Sequence, residues 1–254
     1  MKIVLADFES IQLRSSGNSL VHTIFLTPCT MQTGKFSKYT LNSYQGVVIK
    51  INNVLKHPIV KILLEHQENE NLRLNRKHGS DVNSCAEHGI KITRHMNFYD
   101  AIKFMNKFVV QHGGVLMTHN FIGDLKFLVS TQNFIKGPRI IKNKLAEFPD
   151  TGMYDKNWEG IKKVCSMSLF CNRCHKMADE YKKWAKENQR ETGMNKLESL
   201  TQFVKNEREY RQHHAAVQDT IDLYTVLKYA YKCDGSIMDG HSYLSEAKWF
   251  KPIC

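Results

Sequence analysis

The chain has 254 residues, of which 42% are hydrophobic, enough for one large domain with a sizeable core; no run of about eighteen apolar residues offers a membrane span. A formal charge of +11 and a pI near 9.2 favour polyanionic partners, because a basic surface concentrates and neutralises phosphates. Seven cysteines without framework spacing suit a reducing compartment, and the opening MKIVLADFE is wrong for a secretory signal, so an intracellular protein (cytoplasmic or nuclear) is expected.

Residues 2–7 alternate and run apolar, as a half-buried or central strand does. Residues 19–28 and 34–42 read as the next two strands, with Met-Gln-Thr-Gly as the turn between them. Residues 53–65 have helical spacing, which Pro58 must start or kink. Residues 68–83 are polar, mixed in charge and aperiodic, and an exposed loop or insertion is expected over 66–90. Helical spacing returns at Phe98, Ile102, Met105 and Val109, with Asn97 as the N-cap and Gly113-Gly114 as the stop.

VLMTH then reads as a short buried strand, and 121–131 as a helix with Asp124 in its first turn. After a basic stretch through Lys136, Arg139, Lys142 and Lys144 and an aperiodic 147–160, VCSMSLF reads as a fifth strand. Met177, Tyr181 and Trp184 form a helical stripe of core character. Asn195 with Glu198 spells a capping box before Leu197, Leu200, Phe203 and Val204. A last helix runs from His214 or Ala215 to Tyr231, and 232–254 form a C-terminal extension. The pattern is one α/β domain over 1–254, with helices on both faces of a sheet.

Three distant stretches carry the chemistry. IVLADFES places Asp7 and Glu9 two apart on a strand, so both aim at one face while Phe8 points away. LMTHNFIGDLKFL carries His119, Asn120 and Asp124; HHAAVQDTIDLYTVL carries His214 and Asp219. Carboxylates on apolar elements are costly to bury unless something cationic pairs with them, and hard divalent cations such as magnesium take oxygen ligands of this kind.

The ordered set D-x-E, H-N followed by Asp, and H-x-x-x-x-D resembles the DEDDh 3′–5′ exonucleases, the DnaQ-like branch of the RNase H-like fold. KKVCSMSLF is similar to the family's strand after the second motif, and MNKLESLTQFV to its leucine-rich helix before the third, so the resemblance covers most of residues 1–231. It implies a mixed five-stranded sheet flanked by helices, with a metal site at the edge of the first strand. It also implies two Mg2+ or Mn2+ ions, with Asp7 bridging both, Glu9 and Asp219 on the nucleophile-side ion, and Asp124 nearer the other through water. His214 takes the place of the family's general base, an imidazole titrating near neutral pH, while His213 is off by one. His119 and Asn120 follow the second motif. Ser10 stands where many relatives have threonine and is placed to meet the terminal sugar; Phe8 and Phe121 are placed to contact the last base or to fill the core. Asp222 has no motif role and is expected at a solvated helix position.

The activity so implied is release of nucleoside 5′-monophosphates from single-stranded 3′ ends of DNA or RNA. The alternative is a catalytically silent nuclease fold that binds nucleic acid or protein. Cys171, Cys174 and His175 spell the c-type haem signature, but no export signal accompanies it, and coincidence is the better reading. Cys165, Cys171, Cys174 and His175 are also a donor set that suits zinc.

Overall fold

The computed structural model describes residues 2–13, 19–31, 39–41, 45–73, 92–136, 161–171, 177–210, 212 and 215–234. The stretches 74–91, 137–160 and 235–254 lie outside the described residues. So do most of the C-x-x-C-H segment, His213 and His214.

Six strands form a mixed sheet in the order β5 (Ile92–Met96), β4 (Val47–Ile51), β2 (Ser19–Met31), β1 (Lys2–Gln12), β6 (Val115–Thr118), β7 (Lys162–Cys165). A three-residue seventh, β3 (Tyr39–Leu41), pairs with β2. The pairs β1–β2 and β2–β4 are antiparallel; β1–β6, β6–β7 and β4–β5 are parallel. The α/β class and the mixed sheet are therefore as expected, but the count of five is exceeded. Two strands lie outside the expected set: β4, a buried apolar run just after the expected strand at 34–42, and β5, whose ITRHM has no buried face, since Ile92 to His95 are all exposed.

Strand alternation divides β1 between two cores. Val4, Ala6 and Phe8 face one core with Ile24, Leu26, Val47 and Ile49. That face is covered by α1 (Asn52–Leu55), α2 (Pro58–Arg73), α3 (Phe98–Gln111) and α4 (Phe121–Lys136). Ile3 and Leu5 face the other core with Val115, Met117 and Val164. Its cover is α5 (Ser166–Cys171), α6 (Met177–Glu187), α7 (Leu197–Lys205) and α8 (Ala216–Asp234). With both faces covered, β1 is a central strand, buried through Ile3–Ala6 and only partly buried at Asp7 and Glu9.

Several local expectations change. Pro58 does start a helix, but that helix continues to Arg73, so 68–73 are not loop. VCSMSLF is split: the strand ends at Cys165 and α5 begins at Ser166. Asn97 holds the N-cap position of α3 without a side-chain bond; the Phe98 amide donates instead to Asn53 Oδ1 at 3.1 Å. The capping box before α7 does not form, because Lys196 rather than Asn195 holds the N-cap position and no side chain caps it. The Gly113-Gly114 stop is a true backbone requirement. Gly113 has φ +114°, and a Cβ there would stand 2.6 Å from the Lys2 carbonyl oxygen.

Candidate metal centre

Asp7 and Glu9 project from β1 on the face that also carries Ile3 and Leu5. β2 pairs with β1 at both positions, Phe25 opposite Asp7 and Thr23 opposite Glu9, while β6 pairs with β1 just before them at Val4 and Leu5. α8 packs across β1 and β2 on this face. Its first turn carries Asp219, and Ala216 and Val217 seat it on Phe25 and Val48. The result is an acidic triad: one carboxylate oxygen from each of Asp7, Glu9 and Asp219 lies within 4.8 Å of the others. Asp219 is 4% exposed, and the other two are partly buried.

Three such charges repel one another by about 3 kcal/mol per pair at an effective dielectric near 20. A divalent cation relieves that repulsion, and an all-oxygen donor set suits magnesium or manganese rather than zinc or copper.

A register shift in the β1–β2 ladder falls between Glu9 and Ser10. Beyond it the parity of the core-facing residues changes from Val4, Ala6, Phe8 to Ile11, Leu13. The bulge thus closes the site's stretch of strand just past its second carboxylate and re-aims the side chains from Ser10 onward. Glu9 pairs in register with Thr23, which pairs in turn with Lys50; the Lys50 ammonium donates to Thr23 Oγ1 at 3.1 Å. The row beside the triad is therefore polar and ends in a cation.

Asp124 lies in the first turn of α4, as expected, but is not one of the three clustered carboxylates. Burial pushes its carboxyl up to about 7, with the Thr118 hydroxyl pulling the other way. Asn120 caps that helix: the Gly123 amide donates to its Oδ1 at 3.2 Å. The glycine is required by this cap, since a Cβ at Gly123 would meet Asn120 Nδ2 at 2.5 Å.

His119 is engaged inside the protein at both ring nitrogens. Nε2 donates to the Asn195 carbonyl at 2.9 Å, which leaves Nδ1 to accept from the Ser166 hydroxyl at 2.9 Å. Burial pushes its pKa down to about 4, the Asn195 contact opposing, so the ring is neutral. Phe8 (6% exposed) and Phe121 (3%) lie in the core on the far face, which leaves little ring surface for a substrate base. Ser10 is partly buried just beyond the bulge.

Asp222 corrects the expectation of a solvated position: it has no exposed surface. It accepts from the Tyr210 hydroxyl, and Lys205 Nζ stands 3.4 Å from its Oδ1. Burial raises its pKa, while Tyr210, Lys205 and Gln218 oppose that rise.

Gln212 is the residue that sequence reasoning missed. Its Nε2 donates to Asp219 Oδ2 at 2.6 Å. The sequence held only a weak signal, a polar side chain just ahead of the His-His pair. No protein-family model matches this sequence, and no curated protein matches it either. Among the described residues no helix is long and apolar enough to cross a membrane.

Proposed function

We propose that this chain is a divalent-metal-dependent 3′–5′ exonuclease of the DEDDh type on an RNase H-like sheet. One observation carries the reading: Asp7 and Glu9 from the first motif and Asp219 from the third, far apart in sequence, converge within 4.8 Å. The mixed sheet with β1 at its centre supports the same family, with β5 and β3 as additions to the five strands β4, β2, β1, β6 and β7.

The donor set fits the cations the family uses. Asp7, Glu9 and Asp219 would hold them, with Asp124 as the further carboxylate. When bound, two such ions supply charge relief on the phosphoryl oxygens, activation of water and stabilisation of the leaving alkoxide. The remaining work belongs to the chain. β1 fixes two ligands on a strand paired with β2 at both positions, so their separation does not depend on loop motion. His214, five positions before Asp219, accepts the proton of the attacking water at a ring nitrogen. The basic surface behind the +11 charge draws in the phosphodiester strand.

Incubation of the full chain with 5′-labelled single-stranded DNA and RNA, with and without Mg2+ or Mn2+, tests this. A ladder shortening from the 3′ end, with 5′-monophosphates released, is the expected result. Cleavage of a circular single strand, or shortening from the 5′ end, overturns the assigned mode. Tight binding without shortening assigns the chain instead to the silent-fold class.

A further inference from the structure

We infer that Gln212 is a positioning residue for the cation site, orienting Asp219 toward Asp7 and Glu9; this rests on the metal reading above. A carboxylate in the first turn of a helix can turn about its Cβ–Cγ bond, so the direction of its oxygens has to be imposed. The Gln212 amide imposes it by donating to Asp219 Oδ2 at 2.6 Å. Asp219 is 4% exposed, so this bond lies where bulk water competes little.

The choice of an amide matters. A lysine or arginine at this place would cancel the charge of Asp219 and compete with the cation. A neutral N–H donor fixes the group and leaves its charge for the ion. Outer ligands of this kind commonly hold inner ones in metal sites.

Gln212 is itself held from α8. Tyr210, two residues before it, is bonded to Asp222, three residues after Asp219 on the same helix. The Tyr210 carbonyl accepts from Gln202 Nε2 at 2.8 Å, and Ala215 on the other side is buried at 4% exposure. Positions three apart on a helix share a face, so one face of α8 clasps the incoming segment at both Tyr210 and Gln212. The carboxylate and the group that aims it are therefore anchored to the same rigid element.

Calorimetric titration of the full chain with Mg2+ and Mn2+ tests the assignment, comparing the wild type with Gln212→Met, which keeps the side-chain length and removes the donor. The apparent Kd is expected to rise about 10–100-fold with unchanged circular dichroism. A rise of less than about threefold in the folded variant overturns the role of Gln212. Should the variant fail to fold, the wild type carries the test through NMR. The Gln212 side-chain amide resonances, assigned through its backbone, are expected to shift on adding Mg2+ with the calorimetric midpoint. Resonances that stay in place at saturation overturn the inference. A wild type that binds neither cation overturns the metal reading itself, and this inference with it, which distinguishes the two failures.

Discussion

Tyr210 donates its hydroxyl hydrogen to Asp222, a carboxylate with no exposed surface that sits three residues beyond Asp219 on α8. The Lys205 ammonium lies 3.9 Å from the Tyr210 ring centroid and 3.4 Å from Asp222 Oδ1, so a half-buried cation and ring cover the buried carboxylate. Burial and the neighbouring carboxylate push the tyrosine well above its ordinary range, so it stays protonated and remains a donor.

Tyr210→Phe removes one donor from a buried charge and is expected to cost about 1.5–3 kcal/mol of stability. Asp222 already has a raised folded-state pKa, so its contribution to stability is full below the unfolded value and declines as pH rises. Losing Tyr210 raises that pKa further and extends the decline. The deficit should therefore be larger at pH 8 than at pH 5 in urea unfolding; equal deficits would show that the charge of Asp222 plays no part.

Asp124 supplies a second pH effect. Its carboxyl is pushed up to about 7 in the folded protein by burial. The stability it contributes is complete below about pH 4 and is lost as pH rises towards 7, amounting to about 2–4 kcal/mol for this partly buried group. Asp124→Asn mimics the protonated form. Measured with chelator present, the variant should overtake the wild type in stability between pH 4 and pH 8. A constant difference across that range would place the Asp124 pKa near its ordinary value.

Removal of a clustered carboxylate tests the catalytic reading directly. Asp7→Ala and Asp219→Ala should each lower the exonuclease rate by at least roughly three orders of magnitude, as should chelation of the cation. Near-normal turnover by either folded variant would show that the triad does not serve the reaction.

The adjacent histidines give a test of register. His214→Ala is expected to reduce turnover by about a hundredfold while cation binding survives. His213→Ala should do much less. The reverse ranking, read from single-turnover rates, would move the general base by one residue.

The Asn120 cap makes a stability prediction with an unusual sign. Glycine to alanine inside a helix ordinarily gains about 0.5–1 kcal/mol. At Gly123 the new Cβ would meet the Asn120 side chain at 2.5 Å and displace the cap. Gly123→Ala should therefore stabilise an Asn120→Ala background but be less favourable in the wild type by about 1 kcal/mol. Additive effects in thermal unfolding would mean that the cap and the glycine are independent.

Part of the site could be read from periodicity: a period of two puts Asp7 and Glu9 on one face. Asp219 is joined to them only by the resemblance of its H-x-x-x-x-D motif, and the structure brings it within 4.8 Å of both. What could not be read depends on long-range contact. Asp222 looks like a surface residue until Lys205 at the end of α7 and Tyr210 in the segment after it reach its carboxylate. Gln212 looks like loop until its amide meets Asp219. β5 has no apolar face and is a strand only because β4 offers it hydrogen bonds. The break at Ser166 within VCSMSLF is set by the Met167 amide and the Cys165 thiol, both donating to the His119 carbonyl, 46 or more positions away.

The joining of β1 to α8 also orders events in time. Asp7 and Glu9 are made more than 200 residues before Asp219. A nascent or truncated chain that ends before α8 carries two of the three clustered carboxylates and lacks the helix that brings the third. Closing so long a loop costs entropy, so the triad is complete only once α8 has docked on β1.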